Sequence, residues 1–199
     1  MNIGILIFDD AEELDFVGPW EVLTSAAKLL GEDPDPWTVR TIAQHERPVR
    51  CAKGMRIVPD CTLDTVAALD VVLVPGGQGT RRELKNEVVL DWLRRVTPGC
   101  RFVTSVCSGS LVLHAAGDAR GKRVTTHWRV IEELRARGDV TVVEGVRFVR
   151  DGRLVTSAGV SAGIDMALWL VGALKTPQLA RDVQRMIEYF PAPPYTAEV

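Results

Sequence analysis

The chain has 199 residues, 46% hydrophobic and 25% charged, enough for the core of one α/β domain, with two small domains as the alternative. Its net charge is −2, and Lys and Arg are scattered among Asp and Glu, which argues against a nucleic-acid footprint or an anionic membrane surface. Strand-like sequence from Asn2 leaves no room for a signal peptide, and no apolar run is long enough for a bilayer, so no membrane partner and a cytoplasmic location are expected.

Asn2 to Phe8 is an Ile-rich run that fits a parallel strand buried on both faces. Asp9 to Asp15 reads as an acidic loop, and Gly18-Pro19-Trp20 opens a helix to about Leu30, with Pro19 in its first turn. Trp37 to Ala43 alternates as a strand does, and Pro48 to Val58 reads as irregular or edge strand. Asp70 to Pro75 is another buried strand, ending in Gly76-Gly77-Gln78-Gly79. Asn86 to Val96 has Val89, Leu90, Leu93 and Val96 on one helical face. A strand over Phe102 to Val106 and an apolar helix from Leu111 follow, then a helix from about His127 to Arg137 and an apolar Val140 to Val143. The Asp151-Gly152 pair between β-like runs signals a hairpin over 147–156. Ser161 to Leu174 is a largely apolar helix, and Thr176-Pro177 caps a last one reaching about Tyr189. Pro191 to Pro194 is the only proline-rich stretch. The alternation of strands and helices predicts a doubly wound, mostly parallel α/β domain over 1–199. In such a fold, ligands sit beyond the carboxyl ends of the strands.

Three of those ends carry unusual chemistry: the acidic loop after Phe8, the glycines after Pro75, and Cys107. Cys107 ends a strand and precedes Ser108, Gly109 and Ser110 and then a helix, the order a nucleophile elbow requires. The helix N-terminus beside it favours the thiolate, the reactive form. A buried packing thiol would also suit a strand end. The other cysteines, Cys51, Cys61 and Cys100, form no CxxC pair and have no His-rich companion, which points to reduced thiols and no metal site.

Over nearly its whole length the chain resembles the ThiJ/PfpI superfamily, flavodoxin-like cysteine proteins related to class I glutamine amidotransferases. The matching segments are Gly4 to Phe8, Glu13-Leu-Asp15-Phe-Val-Gly-Pro19, Val74-Pro-Gly-Gly77, Thr104-Ser-Val-Cys107-Ser-Gly, Thr125-Thr-His-Trp128 and Thr156 to Asp165. Among these, the Asp15 loop, the Thr-Thr-His-Trp motif and the Ala-Gly-Ile-Asp helix look most like the isocyanide-hydrating branch. They are also similar to the sensor-like domains of arabinose-type regulators. Those regulators carry further DNA-binding helices, so a chain ending at Val199 favours the stand-alone enzyme.

The resemblance implies a small-molecule substrate, no cofactor, and a homodimer with sites near the subunit interface. It implies that Cys107 attacks an organic isocyanide and that Asp15 supplies a proton, its pKa raised by the thiolate beside it. Without the resemblance, Asp15 would read as a solvated loop acid or a cap, and Glu12 and Glu13 read as surface charges. Gly76 and Gly77, with Ser108, would offer amides to developing negative charge, or simply make a tight turn. Ser108 stands where isocyanide-hydrating members usually have threonine. Val160, with Ser161 and Gly163, would start the helix bordering the substrate. His127 would either activate the thiol or serve a structural or dimer contact, and His114 reads as a surface or packing residue. Trp20 and Trp128 line a pocket or belong to the core. The alternatives are a thiol redox or ligand-sensing module, and an amidase or protease-like hydrolase. The last ranks below the hydratase because no His directly follows Cys107.

Overall fold

The computed structural model describes residues 1–191; the expectation for the proline-rich stretch beyond Pro191 lies outside the described residues. In chain order the elements are β1 (Asn2–Leu6), α1 (Glu13–Leu30), β2 (Thr38–Ala43), β3 (Val49–Arg50), β4 (Arg56–Ile57), β5 (Cys61–Thr62), β6 (Val71–Val74), α2 (Thr80–Glu83), α3 (Glu87–Val96), β7 (Phe102–Val106), α4 (Gly109–Ala116), β8 (Arg123–Val124), α5 (Ile131–Arg135), β9 (Thr141–Val142), β10 (Phe148–Asp151), β11 (Leu154–Ser157), α6 (Ala162–Leu174) and α7 (Pro177–Met186).

The main sheet has the order β10-β11-β7-β6-β1-β2-β5 and is parallel except for the β10–β11 hairpin. Every residue of β6 and β11 is buried, as expected of strands covered on both faces. From β1 the chain runs first to β2 on one side and later to β6 and β7 on the other. That reversal opens a crevice beyond the carboxyl ends of β1 and β6, where ligands bind in open α/β sheets. Helices α1, α6 and α7 pack together as one layer, and α2, α3 and α4 as another. The expected face of α3 is buried, and Trp92 joins it.

Some elements differ from the expected ones. Helix α1 begins at Glu13, so Asp15 lies in its first turn rather than in a loop, and Pro19 falls inside the helix. Acidic side chains at Glu13 and Asp15 suit the positive N-terminal end. Pro19 has no N–H, so the Asp15 carbonyl four residues earlier loses its helical donor. The stretch expected as irregular or edge strand holds β3 and β4, which pair only with each other as an antiparallel ribbon of two residues each. The helix expected from His127 is a 3₁₀ turn over Trp128–Val130 followed by the short α5.

Close approach of the layers depends on Gly109. A Cβ there would lie 2.1 Å from the Val74 carbonyl oxygen and 2.8 Å from that of Pro75. Both neighbours are backbone of β6 and its exit, and neither can rotate away. Gly109→Ala is expected to lower unfolding stability by about 3 kcal/mol, the upper end of overpacking costs. A denaturant midpoint equal to wild type would contradict this.

Candidate active site

Cys107 sits between β7 and α4 with φ of 57°, a left-handed conformation that side chains other than glycine rarely adopt. The surroundings hold it there. Its N–H donates to the carbonyls of Ser157 and Ala158, both at 3.2 Å. Its carbonyl accepts the Thr126 hydroxyl at 2.8 Å and the Ser110 hydroxyl at 3.2 Å. The thiol is buried, with 8% of the residue exposed.

Asp15 reaches the same point from α1. It is fully buried, and its Oδ2 accepts the Gly76 N–H at 2.8 Å. Its Oδ1 is buried without a hydrogen-bond partner among the described residues, and the Cys107 thiol and Val160 N–H are near enough to lower its pKa. Burial raises Asp15 to about 7, against the nearby Gly76, Cys107 and Val160 groups, which pull it down. The expected direction is therefore found with a different cause, since desolvation lifts the carboxyl and the thiol does not. Burial first, then the Asp15 charge, pushes the Cys107 thiol up to about 12, against the Ser108 amide and hydroxyl that pull it down. This corrects the expectation of a thiolate at rest. A helix terminus contributes about 0.3–1 kcal/mol, whereas a rise from 9.0 to about 12 corresponds to roughly 4 kcal/mol. The resting pair thus carries at most one negative charge, and below its second ionisation the sulfur keeps its proton.

Gly76, Gly77 and Ser108 meet here, but the glycine amides are already engaged. Gly76 N–H holds Asp15, and Gly77 N–H donates to Ser108 Oγ at 3.0 Å. A Cβ on Gly76 would fall 2.6 Å from the Ser108 nitrogen, 2.7 Å from Ser108 Oγ and 2.8 Å from Asp15 Oδ2, so only glycine lets the three groups converge. Val160, half-buried, has φ of 53°, a strained conformation for a β-branched residue, and its N–H is among the groups that lower the Asp15 pKa. Gly163, in the first turn of α6, places that helix against the Val106 and Pro19 side chains.

His127 does not join the constellation. No hydrogen bond links it to Cys107 among the described residues; its Nδ1 accepts the Arg129 N–H at 3.2 Å and caps the 3₁₀ turn. Its ring lies against Gly159, and burial lowers its pKa. His127→Asn, which keeps a capping side chain, is expected to retain turnover within about threefold, where loss of a general base costs roughly 10²–10⁴-fold. A hundredfold loss in steady-state rate would restore the Cys–His pair.

Other expectations sort plainly. His114 is buried, with Nε2 2.5 Å from Asp139 Oδ1. Trp20 lines an apolar cavity of about 310 Å³ with Phe16, Val17, Met55, Ile57 and Val58. Trp128 is 69% exposed, so it is not a core residue. Glu12 and Glu13 are not free surface charges: Glu12 pairs with the Lys53 ammonium, and Glu13 accepts the Lys53 N–H at 2.7 Å. A separate cavity of about 170 Å³ beyond β1 and β2, lined by His45, Arg47, Arg82 and Glu83 among others, does not include Cys107. Two site residues escaped the sequence reading. Thr126, beside His127 in the Thr-Thr-His-Trp motif, was visible there; Thr80, buried against Ser108, had no signal beyond following Gly79.

A doubly wound domain whose buried thiol sits on a strained strand-to-helix turn, facing a buried carboxyl, defines a class of cysteine-elbow α/β proteins. The chain belongs to the DJ-1/PfpI family, which it matches over residues 1–173. It is 41% identical over 195 residues, 98% of this chain and 81% of the relative, to a Pseudomonas putida protein named isonitrile hydratase. It is 29% identical to the transcriptional regulator GbdR of Pseudomonas aeruginosa, over 94% of this chain but only 50% of that protein. Among solved structures, a ThiJ/PfpI family protein from Pseudomonas syringae superposes with a TM-score of 0.88 at 34% identity, covering 100% of this chain and 78% of that one. No helix among the described residues is long and apolar enough to cross a membrane.

Proposed function

We propose that this protein is an isocyanide hydratase that uses Cys107 as nucleophile and Asp15 as proton carrier. The observation that carries the reading is the buried Asp15 carboxyl facing the Cys107 thiol, in a chain 41% identical to a protein named isonitrile hydratase.

The two raised pKa values suit this chemistry. Above pH 7 the pair holds a carboxylate beside a protonated thiol. As sulfur attacks the terminal carbon of R–N≡C, Asp15 takes the thiol proton and passes it to that carbon. The product is a thioimidate, Cys107–S–CH=N–R. Water adds to its C=N bond, with one proton going to nitrogen, and the C–S bond then breaks. The second water proton returns to sulfur, leaving R–NH–CHO. The sum is isocyanide plus water to N-substituted formamide, and no free thiolate need accumulate beforehand. With both glycine amides engaged, the Ser108 N–H is the amide that faces the sulfur and its adduct.

A redox sensor needs an open thiolate, and Cys107 is 8% exposed with its thiol pushed up to about 12. The hydratase reading is therefore preferred. The test is infrared loss of the isocyanide stretch with matching formamide formation, using a simple aryl isocyanide. Loss of the band without formamide, or no loss at all, would reject the reading.

The reading includes a cytoplasmic homodimer. Met55 and Val58, on either side of β4, are exposed apolar side chains that line the Trp20 cavity, a face suited to a second copy. Light scattering at micromolar concentration is expected to give twice the chain mass of 21.9 kDa; the monomer mass would contradict it.

A further inference from the structure

A chain of side chains leads from the protein surface to Cys107, and the reaction proposed above leaves it without a role. Thr80 opens α2 and is fully buried. Its hydroxyl proton goes to the Gly77 carbonyl at 2.7 Å, the shortest of its contacts. One of its lone pairs receives Arg81 Nη1 at 3.1 Å. Arg81 is held in turn by Glu133 of α5, at 2.6 Å from Nη2.

Ser108 Oγ sits at the inner end. It accepts the Gly77 N–H at 3.0 Å, so its own proton must find another acceptor. The protein offers two oxygens, Thr80 Oγ1 at 3.2 Å and the Gly77 carbonyl at 3.3 Å. Both are long for an O–H···O bond, whose usual length is about 2.7–2.8 Å. The Gly77 carbonyl already takes both the Thr80 hydroxyl and the Thr80 N–H, the latter at 3.2 Å, and the Arg81 guanidinium takes one of the two lone pairs of Thr80 Oγ1. A third acceptor is the Cys107 sulfur on the adjoining residue, whose pKa the Ser108 hydroxyl and amide lower.

We propose that Thr80 and Arg81 are positioning residues for Cys107: by occupying the competing acceptors they leave the Ser108 proton free to turn onto the sulfur as it becomes anionic. A hydrogen bond to a charged acceptor is about twice as strong as a neutral one, so the rotor moves to sulfur when the charge appears. Loss of the Thr80 hydroxyl frees the Gly77 carbonyl to take the Ser108 proton. Loss of the Arg81 guanidinium makes Thr80 the better acceptor. Either change withdraws support from the sulfur anion without touching it.

The inference rests on Cys107 being the reacting group, but its test does not need isocyanide turnover. The readout is the rate of iodoacetamide addition to Cys107, resolved from the other thiols by peptide mass spectrometry, across pH 7.5–9.5. Thr80→Val is expected to slow addition roughly tenfold at each pH, equivalent to about one pKa unit. Thr80→Ser is expected to restore the wild-type rate, because the hydroxyl and not the methyl does the work. Arg81→Met is expected to slow addition two- to threefold and to remove most of the wild-type rate's dependence on added salt. A folded Thr80→Val that reacts at the wild-type rate, or a Thr80→Ser as slow as the valine variant, would overturn the proposal. If Thr80→Val does not fold, the exposed Arg81→Met change decides: an unaltered rate and salt dependence overturns it. Altered addition with no isocyanide turnover in the wild type would keep this inference and reject the hydratase; the reverse pattern would keep only the hydratase.

Discussion

Cys107→Ala is expected to abolish formamide production, a fall of at least about 10⁴-fold, while the protein folds normally. Removing a nucleophile from a unit that works together costs nearly all of its catalysis. The neighbouring Ser108 hydroxyl is no substitute, since a hydroxyl is a far weaker nucleophile than a thiol at neutral pH. The fold should survive, because the left-handed turn is pinned by backbone groups and by the Thr126 and Ser110 hydroxyls, none of which needs the sulfur. Alanine pays a similar cost for φ of 57° as cysteine does. The variant also reports on Asp15. The thiol is one of the groups that hold the carboxyl down against burial, so its loss should move Asp15 above about 7. Difference infrared spectra of the carboxyl band across pH 5–9 would show this. Turnover near the wild-type rate in this variant would remove Cys107 from the mechanism.

The parts of the site that were legible in the sequence are those set by local pattern. The Phe102–Val106 strand, the thiol and the small residues after it gave the elbow, because a tight strand-to-helix turn restricts residue type at each position. Buried parallel strands are continuous apolar runs, so β1, β6 and β7 were legible too. The start of α1 was not: Pro19 is a common signal for a first helical turn, and the acidic residues that begin the helix read equally well as a loop. The two-residue strands β3, β4, β5, β8 and β9 are too short to show a period, and only tertiary pairing defines them. The protonation state of Cys107 was hidden for a different reason. The helix-end effect is local and readable, but the larger opposing effect is desolvation, which depends on Asp15 and α6 arriving from distant parts of the chain. The same applies to the glycine amides, whose partners, Asp15 and Ser108, lie 61 and 31 residues away.

Replacing Asp15 by Asn should separate function from stability in opposite directions. Turnover should fall by roughly 10²–10⁴-fold, since the amide neither takes the thiol proton nor delivers one to carbon. Alkylation of Cys107 above pH 8 should become faster, because the Asp15 charge that raises the thiol is gone. Stability follows the sign of the carboxyl shift. The folded state holds Asp15 at about 7 and the unfolded chain holds it at 3.8, so between these values the folded form binds more protons. Stability is then full below pH 3.8 and is lost as pH rises through 7, by roughly 4 kcal/mol in total. Asn carries no such cost. Its advantage over the wild type should therefore be largest at pH 8 and shrink towards pH 4, as read from denaturant midpoints at the two pH values. A variant equally stable at pH 8 would mean that burial does not penalise the Asp15 carboxylate. The protein would then have no strained carboxylate at rest, and the force that drives the thiol proton onto Asp15 and from there to the substrate carbon would be missing.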